Sequence, residues 1–238
     1  SQNYTLVQDD VGSAMTVTVS YTDAQGTAES ATSSATNAVA NVNDASAVTI
    51  SGTETEDQVL TATVTDEDGA SGTIIYQWAR DGTALTNTNS STYTLVQSDV
   101  GKAMTVSVTF TDDLGTAESA TSSATSAVAN VNDAPTGAVL INGTAAEDQV
   151  LTVSNTLADE DGIGTVTYTW STGATGTTIT LGQSDVGTTI SVTASYTDAF
   201  STTESVTSNS TSTVTNVDDT TLGTVTISGN AYDEETLT

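Results

Sequence analysis

Apolar and polar residues alternate with a period of two along most of this chain. Met104, Val106, Val108 and Phe110 are interleaved with Thr and Ser, as are Met15, Val17, Val19 and Tyr21, and again Ile190, Val192, Ala194 and Tyr196. Leu60, Ala62 and Val64, then Ile74, Tyr76 and Trp78, add two more such stretches, and Tyr93 with Leu95 a further one. A period of two puts every second side chain on one face of a strand, so these stretches predict half-buried β-strands. The Thr and Val among them suit a pleated, half-exposed surface. Nothing carries a helical period. Turns rich in Gly, Asp and Asn separate the strands, and about seven short strands in roughly 90 residues predict an all-β fold of the sandwich type.

The pattern itself recurs. Asn41-Val42-Asn43-Asp44 returns as Asn130-Val131-Asn132-Asp133 and then as Asn216-Val217-Asp218-Asp219, spaced by 89 residues (44 to 133) and 86 residues (133 to 219). Leu6 aligns with Leu95 and Leu181, and Asp10-Val11-Gly12 with Asp99-Val100-Gly101 and Asp185-Val186-Gly187. Trp78 returns as Trp170, and Ile50-Ser51-Gly52 as Ile141-Asn142-Gly143 and Ile227-Ser228-Gly229. Self-similarity at a fixed period marks tandem structural units. The expected organisation is two complete β-sandwich repeats, 45–133 and 134–219. The C-terminal half of another repeat (1–44) precedes them, and the first strands of a fourth (220–238) follow. Both ends fall inside repeats, which leads us to expect a protein that continues in both directions.

Charge changes this picture more than any other property. Asp and Glu total 30 against two basic side chains, Arg80 and Lys102, for a net charge of −28. Such a chain cannot neutralise phosphates, so a nucleic-acid partner is excluded, and an anionic membrane surface is disfavoured. Uncompensated carboxylates repel one another and oppose compaction unless cations occupy the clusters. No apolar run approaches the roughly 20 residues of a membrane span, so no membrane insertion is expected. The absence of cysteine rules out disulfides and thiol chemistry. The absence of histidine rules out Ser-His and metal-His sites. Lys102 is the sole lysine, so isopeptide cross-links are not a general device here. The acids recur with the repeat period, as architecture does and catalytic residues do not, so no enzyme is expected. Four Asn-x-Ser/Thr sequons (Asn3, Asn89, Asn142, Asn209) are expected by chance in so Ser/Thr-rich a chain.

Sandwich topology predicts where the acids go. With strands lettered A to G, antiparallel order puts the A–B and E–F loops at one pole and the B–C and F–G loops at the other. The A–B loop of the first complete repeat carries Glu56 and Asp57, its E–F loop Asp99, and the linker beyond carries Asn130, Asn132 and Asp133. The next repeat offers Asp159, Glu160 and Asp161 from its B–C loop and Asp198 from its F–G loop. These oxygen donors are expected to converge on one junction. Asp10, Asn43, Asp44, Asp66, Asp68 and Asp112 form the corresponding set one repeat earlier, and Glu147, Asp148, Asp185, Asp218 and Asp219 the set one repeat later. Carboxylates and amide carbonyls without His or Cys are hard donors that select calcium, with its six to eight oxygen ligands, over zinc or copper. Asp and Asn also close turns on their own backbone, and Asp99-Val100-Gly101 can equally be a plain corner. The Asp66–Asp68 segment is no EF-hand, because Ala70 and Gln77 fall where that loop needs acidic ligands.

Three resemblances follow from these residues. The central Trp, the Asp-Val-Gly turn and the alternating strand after it resemble the C-to-F region of the immunoglobulin fold, which implies that Trp78 and Trp170 are core residues. Asn-Val-Asn-Asp-Ala-Pro (130–135) and Asp-Glu-Asp-Gly (159–162) resemble the linker and Asp-x-Asp loop through which cadherins share calcium between domains. The whole chain is similar to the cadherin-like or immunoglobulin-like extender repeats of giant bacterial RTX-type adhesins. That resemblance implies end-to-end sandwiches stiffened by calcium, partnered by neighbouring repeats and by like chains in a fibre, on a bacterial surface or secreted. Pro135 lacks a counterpart in the other linkers, the third linker reads Asn-Val-Asp-Asp, and the cadherin E–F motif with its Arg is absent. Carbohydrate or surface binding is the competing expectation. It rests on Phe200 and Tyr232, the two aromatics outside the strand pattern.

Overall fold

The structure, a computed structural model, describes residues 3–219, 223 and 226–229. Tyr232, and most of the 220–238 segment expected to open a fourth repeat, lie outside the described residues. Among the described residues there are strands and short 3-10 turns but no α-helix. Strands pair antiparallel throughout, as the turn-separated alternating stretches predict. The chain divides into two compact units, Ser1–Val131 and Asn132–Thr238.

The first unit opens with a hairpin of β1 (Thr18–Thr22) and β2 (Ala28–Thr32). Val17, Val19 and Tyr21 are 62%, 58% and 59% exposed, so the apolar face of this hairpin is uncovered. Two sheets follow. One contains β3 (Ala47–Ser51), β4 (Val59–Thr65) and β7 (Thr92–Thr94), in the order β3-β4-β7. The other has the order β6-β5-β8-β9, built from β5 (Ile75–Arg80), β6 (Thr83–Ala84), β8 (Met104–Thr111) and β9 (Ala117–Thr121). One core holds both sheets: Val48, Leu60 and Ala62 from the first, and Trp78, Met104, Val106, Val108 and Phe110 from the second. Each large apolar side chain buried here contributes about 1.5–3 kcal/mol. The indole N–H of Trp78 donates to the Ser90 carbonyl at 2.9 Å, and its ring stacks on Tyr93 at 5.7 Å between centroids.

The second unit repeats the plan. Here β10 (Val139–Asn142), β11 (Val150–Asn155) and β13 (Thr178–Thr180) form one sheet. The other consists of β12 (Thr167–Trp170), β14 (Val192–Thr197) and β15 (Thr203–Thr207). Val139 and Leu151 from the first meet Trp170, Val192 and Ala194 from the second in one core. No strand corresponds to β6 among its described residues, because Trp170 to Leu181 is only 11 residues where Trp78 to Leu95 is 17. Gly52 and Gly143 end β3 and β10 at φ +133° and +126°. A Cβ on either would stand 2.6 Å from a carbonyl of the neighbouring strand, so only glycine closes these turns.

Candidate metal centre

Each unit gathers acidic loops at one pole by the same wiring. In the first unit the β4–β5 loop carries Asp66 and Asp68, with the Asp68 amide donating to Asp66 Oδ1 at 2.8 Å. The segment leading into β3 docks on this loop: the Asp44 amide donates to Asp68 Oδ2 at 2.9 Å. Asn43 Nδ2 reaches Glu118 Oε1 at 2.8 Å. The β8–β9 loop is closed by Asp112, whose Oδ1 accepts the Leu114 and Thr116 amides at 2.9 and 2.7 Å. Ser71 ties the two loops together, its hydroxyl donating to Asp113 Oδ1 at 2.6 Å. The second unit reproduces the pattern. The Asp161 amide donates to Asp159 Oδ1 at 2.9 Å, the Asp133 amide to Asp161 Oδ2 at 2.8 Å, and Asn132 Nδ2 to Glu204 Oε1 at 2.8 Å. Asp198 Oδ1 accepts the Phe200 and Thr202 amides at 2.8 Å each.

These turns, the F–G loops of the two sandwiches (β8–β9 and β14–β15), commit one oxygen of Asp112 and of Asp198 and leave the other without a partner. Asp112 is 5% exposed and Asp198 7%, yet Oδ2 of each is buried with no hydrogen-bond donor. Asp66 Oδ2 and the Asn41 amide oxygen are likewise buried and unpartnered in the first unit, as is Asp161 Oδ1 in the second. Burial pushes the Asp112 carboxyl up, but the Thr116 amide and hydroxyl and the Leu114 and Gly115 amides outweigh it, leaving Asp112 below the usual carboxylate range. It is therefore anionic at neutral pH. Leaving a buried acceptor unsatisfied costs about 1–3 kcal/mol, more when charged. Three such oxygens in the first unit and two in the second amount to a large part of the roughly 5–15 kcal/mol by which a domain is stable. A divalent cation would relieve that cost, and an all-oxygen donor set fits calcium. The oxygens left in this state belong to Asn41, Asp66 and Asp112 in the first unit and to Asp161 and Asp198 in the second.

The remaining expected ligands are placed as follows. Glu56 and Glu147, each 2% exposed, lie at the other ends of their sandwiches and accept the Val131 and Val217 amides at 3.4 and 3.1 Å. Asp57 and Asp148 are exposed turn residues, both at φ +63°. Asp218 and Asp219 are exposed. The aspartates of the three Asp-Val-Gly turns act as corners. Asp10, Asp99 and Asp185 each accept the amide three residues back, from Val7, Val96 and Gly182, at 3.0, 2.9 and 2.9 Å. Asp99 is the extreme case, fully buried with both oxygens occupied. Arg80 Nε donates to its Oδ1 at 2.6 Å, and the Tyr93 hydroxyl to its Oδ2 at 3.0 Å. Both Asp99 oxygens thus serve the corner, which Arg80 braces.

Several participants escape a reading of acids alone. Glu118 and Glu204 anchor the linker asparagines, and they keep the 86-residue beat, with Glu29 a further 89 residues upstream, so periodicity could have found them. Gln8 Nε2 donates to Asp68 Oδ1 at 2.7 Å, and the Tyr196 hydroxyl to Asp159 Oδ2 at 2.5 Å. Burial raises the Tyr196 phenol far above its ordinary value, and the hydrogen bond to Asp159 and the charges of Asp159, Glu204 and Asp198 raise it further.

No family model and no curated protein matches the chain. The solved structures similar to this chain include one at 23% identity over 86% of this chain and 57% of its own length, with a TM-score of 0.32. It is described as a Ca2+-stabilized adhesin that helps an Antarctic bacterium reach out and bind ice. The present chain thus spans little more than half of that one.

Proposed function

We propose that this chain is a calcium-stiffened spacer, a run of immunoglobulin-like sandwiches in the stalk of a larger adhesin or fibre on a bacterial surface or in secreted form. The observation that supports it best is the buried, donorless Oδ2 found at the same position of both F–G loops, Asp112 and Asp198. In the first unit the donorless oxygens also include that of Asn41, a residue of the segment entering the sandwich. A cation there relieves the stranded charge and, in the first unit, fastens the 1–44 segment to the sandwich after it. Extracellular sites of this kind bind at about 0.1–1 mM, so they fill outside a cell and empty in a calcium-poor interior. Recurrence of the acids with the repeat, and the lack of histidine and cysteine, favour this mechanical role over catalysis.

The test is calorimetry and small-angle scattering of the whole chain in calcium and in chelator. Chelation is expected to lower the melting temperature and shorten the scattering particle. Identical profiles in the two conditions would refute the stiffening mechanism. Phe200, 45% exposed on the loop that Asp198 closes, supports the second reading, a calcium-dependent glycan or surface binder. A specific glycan-array signal lost in Phe200→Ala would favour that reading.

A further inference from the structure

The two acidic poles share their wiring but differ in which oxygens are left over. In the first unit the outer aspartate of the Asp-x-Asp loop is the deprived one: Asp66 Oδ2 is buried without a donor, while Gln8 caps Asp68 Oδ1 at 2.7 Å. The second unit reverses this. Asp161 Oδ1 has no donor, while the Tyr196 hydroxyl caps Asp159 Oδ2 at 2.5 Å. One side chain accounts for the outer position. Tyr196 pairs with Glu204 across β14 and β15, and Phe110 stands at the same register place, pairing with Glu118 across β8 and β9. Phenylalanine has no hydroxyl to offer, so Asp66 stays bare.

We propose that Tyr196 and Gln8 are positioning residues that select which member of the Asp-x-Asp pair serves the cation. Asp66 with Asp112 holds the ion in the first unit, and Asp161 with Asp198 holds it in the second. This rests on the calcium reading above and deepens it: the poles are not copies but two different donor sets. A carboxylate oxygen already accepting a short phenolic hydrogen bond is a poorer ligand, because the cation must compete with that bond. The hydroxyl also satisfies Asp159 when no ion is bound, so the second pole gains less from calcium than the first.

The experiment is a calcium titration of the whole chain followed by amide NMR, with Gly69 reporting the first pole and Gly162 the second. Asp66→Asn is expected to weaken binding at Gly69 by tenfold or more, whereas Asp159→Asn leaves the Gly162 titration nearly unchanged and Asp161→Asn weakens it strongly. Tyr196→Phe, which frees Asp159 Oδ2, should tighten the second pole by about tenfold, the worth of one hydrogen bond to a charged group. Phe110→Tyr should loosen the first pole by a similar factor. Equal losses from Asp159→Asn and Asp161→Asn, or a Tyr196→Phe titration that coincides with wild type, would overturn the selector role while leaving calcium binding intact. Neither reporter responding to calcium in the wild-type chain would instead defeat the calcium reading itself.

Discussion

Tyr196 and Arg80 show how single side chains settle acidic clusters that composition leaves open. The Tyr196 phenol is raised by burial first and by the Asp159 bond and neighbouring carboxylates after it. A raised value in the folded state means that the neutral form is favoured. Its contribution to stability is therefore complete below the unfolded tyrosine value of about 10 and drains away as pH climbs beyond it. Urea midpoints of wild type and Tyr196→Phe should run parallel up to about pH 9 and converge above 10, where the wild type loses its advantage. Parallel curves through pH 11 would show that the hydroxyl titrates as if exposed. Arg80 works differently, as a built-in counter-cation for Asp99. Arg80→Ala leaves a fully buried carboxylate unpaired and is expected to cost about 3 kcal/mol, read from denaturant melts. Lys102→Ala, which breaks only the exposed 3.1 Å pair with Asp81, should cost under about 1 kcal/mol.

At the scale of strands and loops, much was legible beforehand. Alternation alone located the central strands, because a period of two on Met104 to Phe110 or Ile190 to Tyr196 fits only a sheet with one face buried. Alternating loop polarity put the Asp66–Asp68 loop at the same pole as the Asp112 loop, and Ser71 does tie the two together through Asp113. The partners of individual oxygens were not legible. Whether Asp66 Oδ2 is capped depends on a hydroxyl at position 110, which is far away in sequence and is decided by cross-strand register. Asp99 was open to two readings because the reach of Arg80 across the sheet leaves no sequence signature. Glycine positions carry the sharpest test at this scale. Gly52→Ala must shift the Val59 carbonyl that a Cβ would approach to 2.6 Å, and it also adopts a φ of +133° that other residues avoid. We expect a loss of about 2–3 kcal/mol, against under about 0.5 kcal/mol for Ser51→Ala on the exposed neighbour. Comparable midpoints for the two variants would mean that the β3–β4 turn relaxes freely.

For the molecule as a whole, the −28 charge admits two remedies that must be separated. Any salt screens diffuse repulsion, with a Debye length near 8 Å at 0.15 M, and raises stability gradually without saturating. A built site instead saturates and discriminates. With dissociation constants of about 0.1–1 mM, 10 mM calcium adds roughly 1.4–2.7 kcal/mol per site, or about 6–20 °C for a domain of this size. Magnesium, which holds its water and demands a tight octahedron, should do far less at equal ionic strength. Melting curves at constant ionic strength are therefore expected to show a saturable calcium response on top of a shallow sodium chloride slope. The double variant Asp112→Asn, Asp198→Asn keeps the slope and loses the saturable part, because it removes the stranded charge from both F–G loops and little of the total. Were magnesium and calcium to stabilise alike, or the double variant to respond like wild type, the acids would be acting as a diffuse cloud and the recurring loops would be closing turns and nothing more.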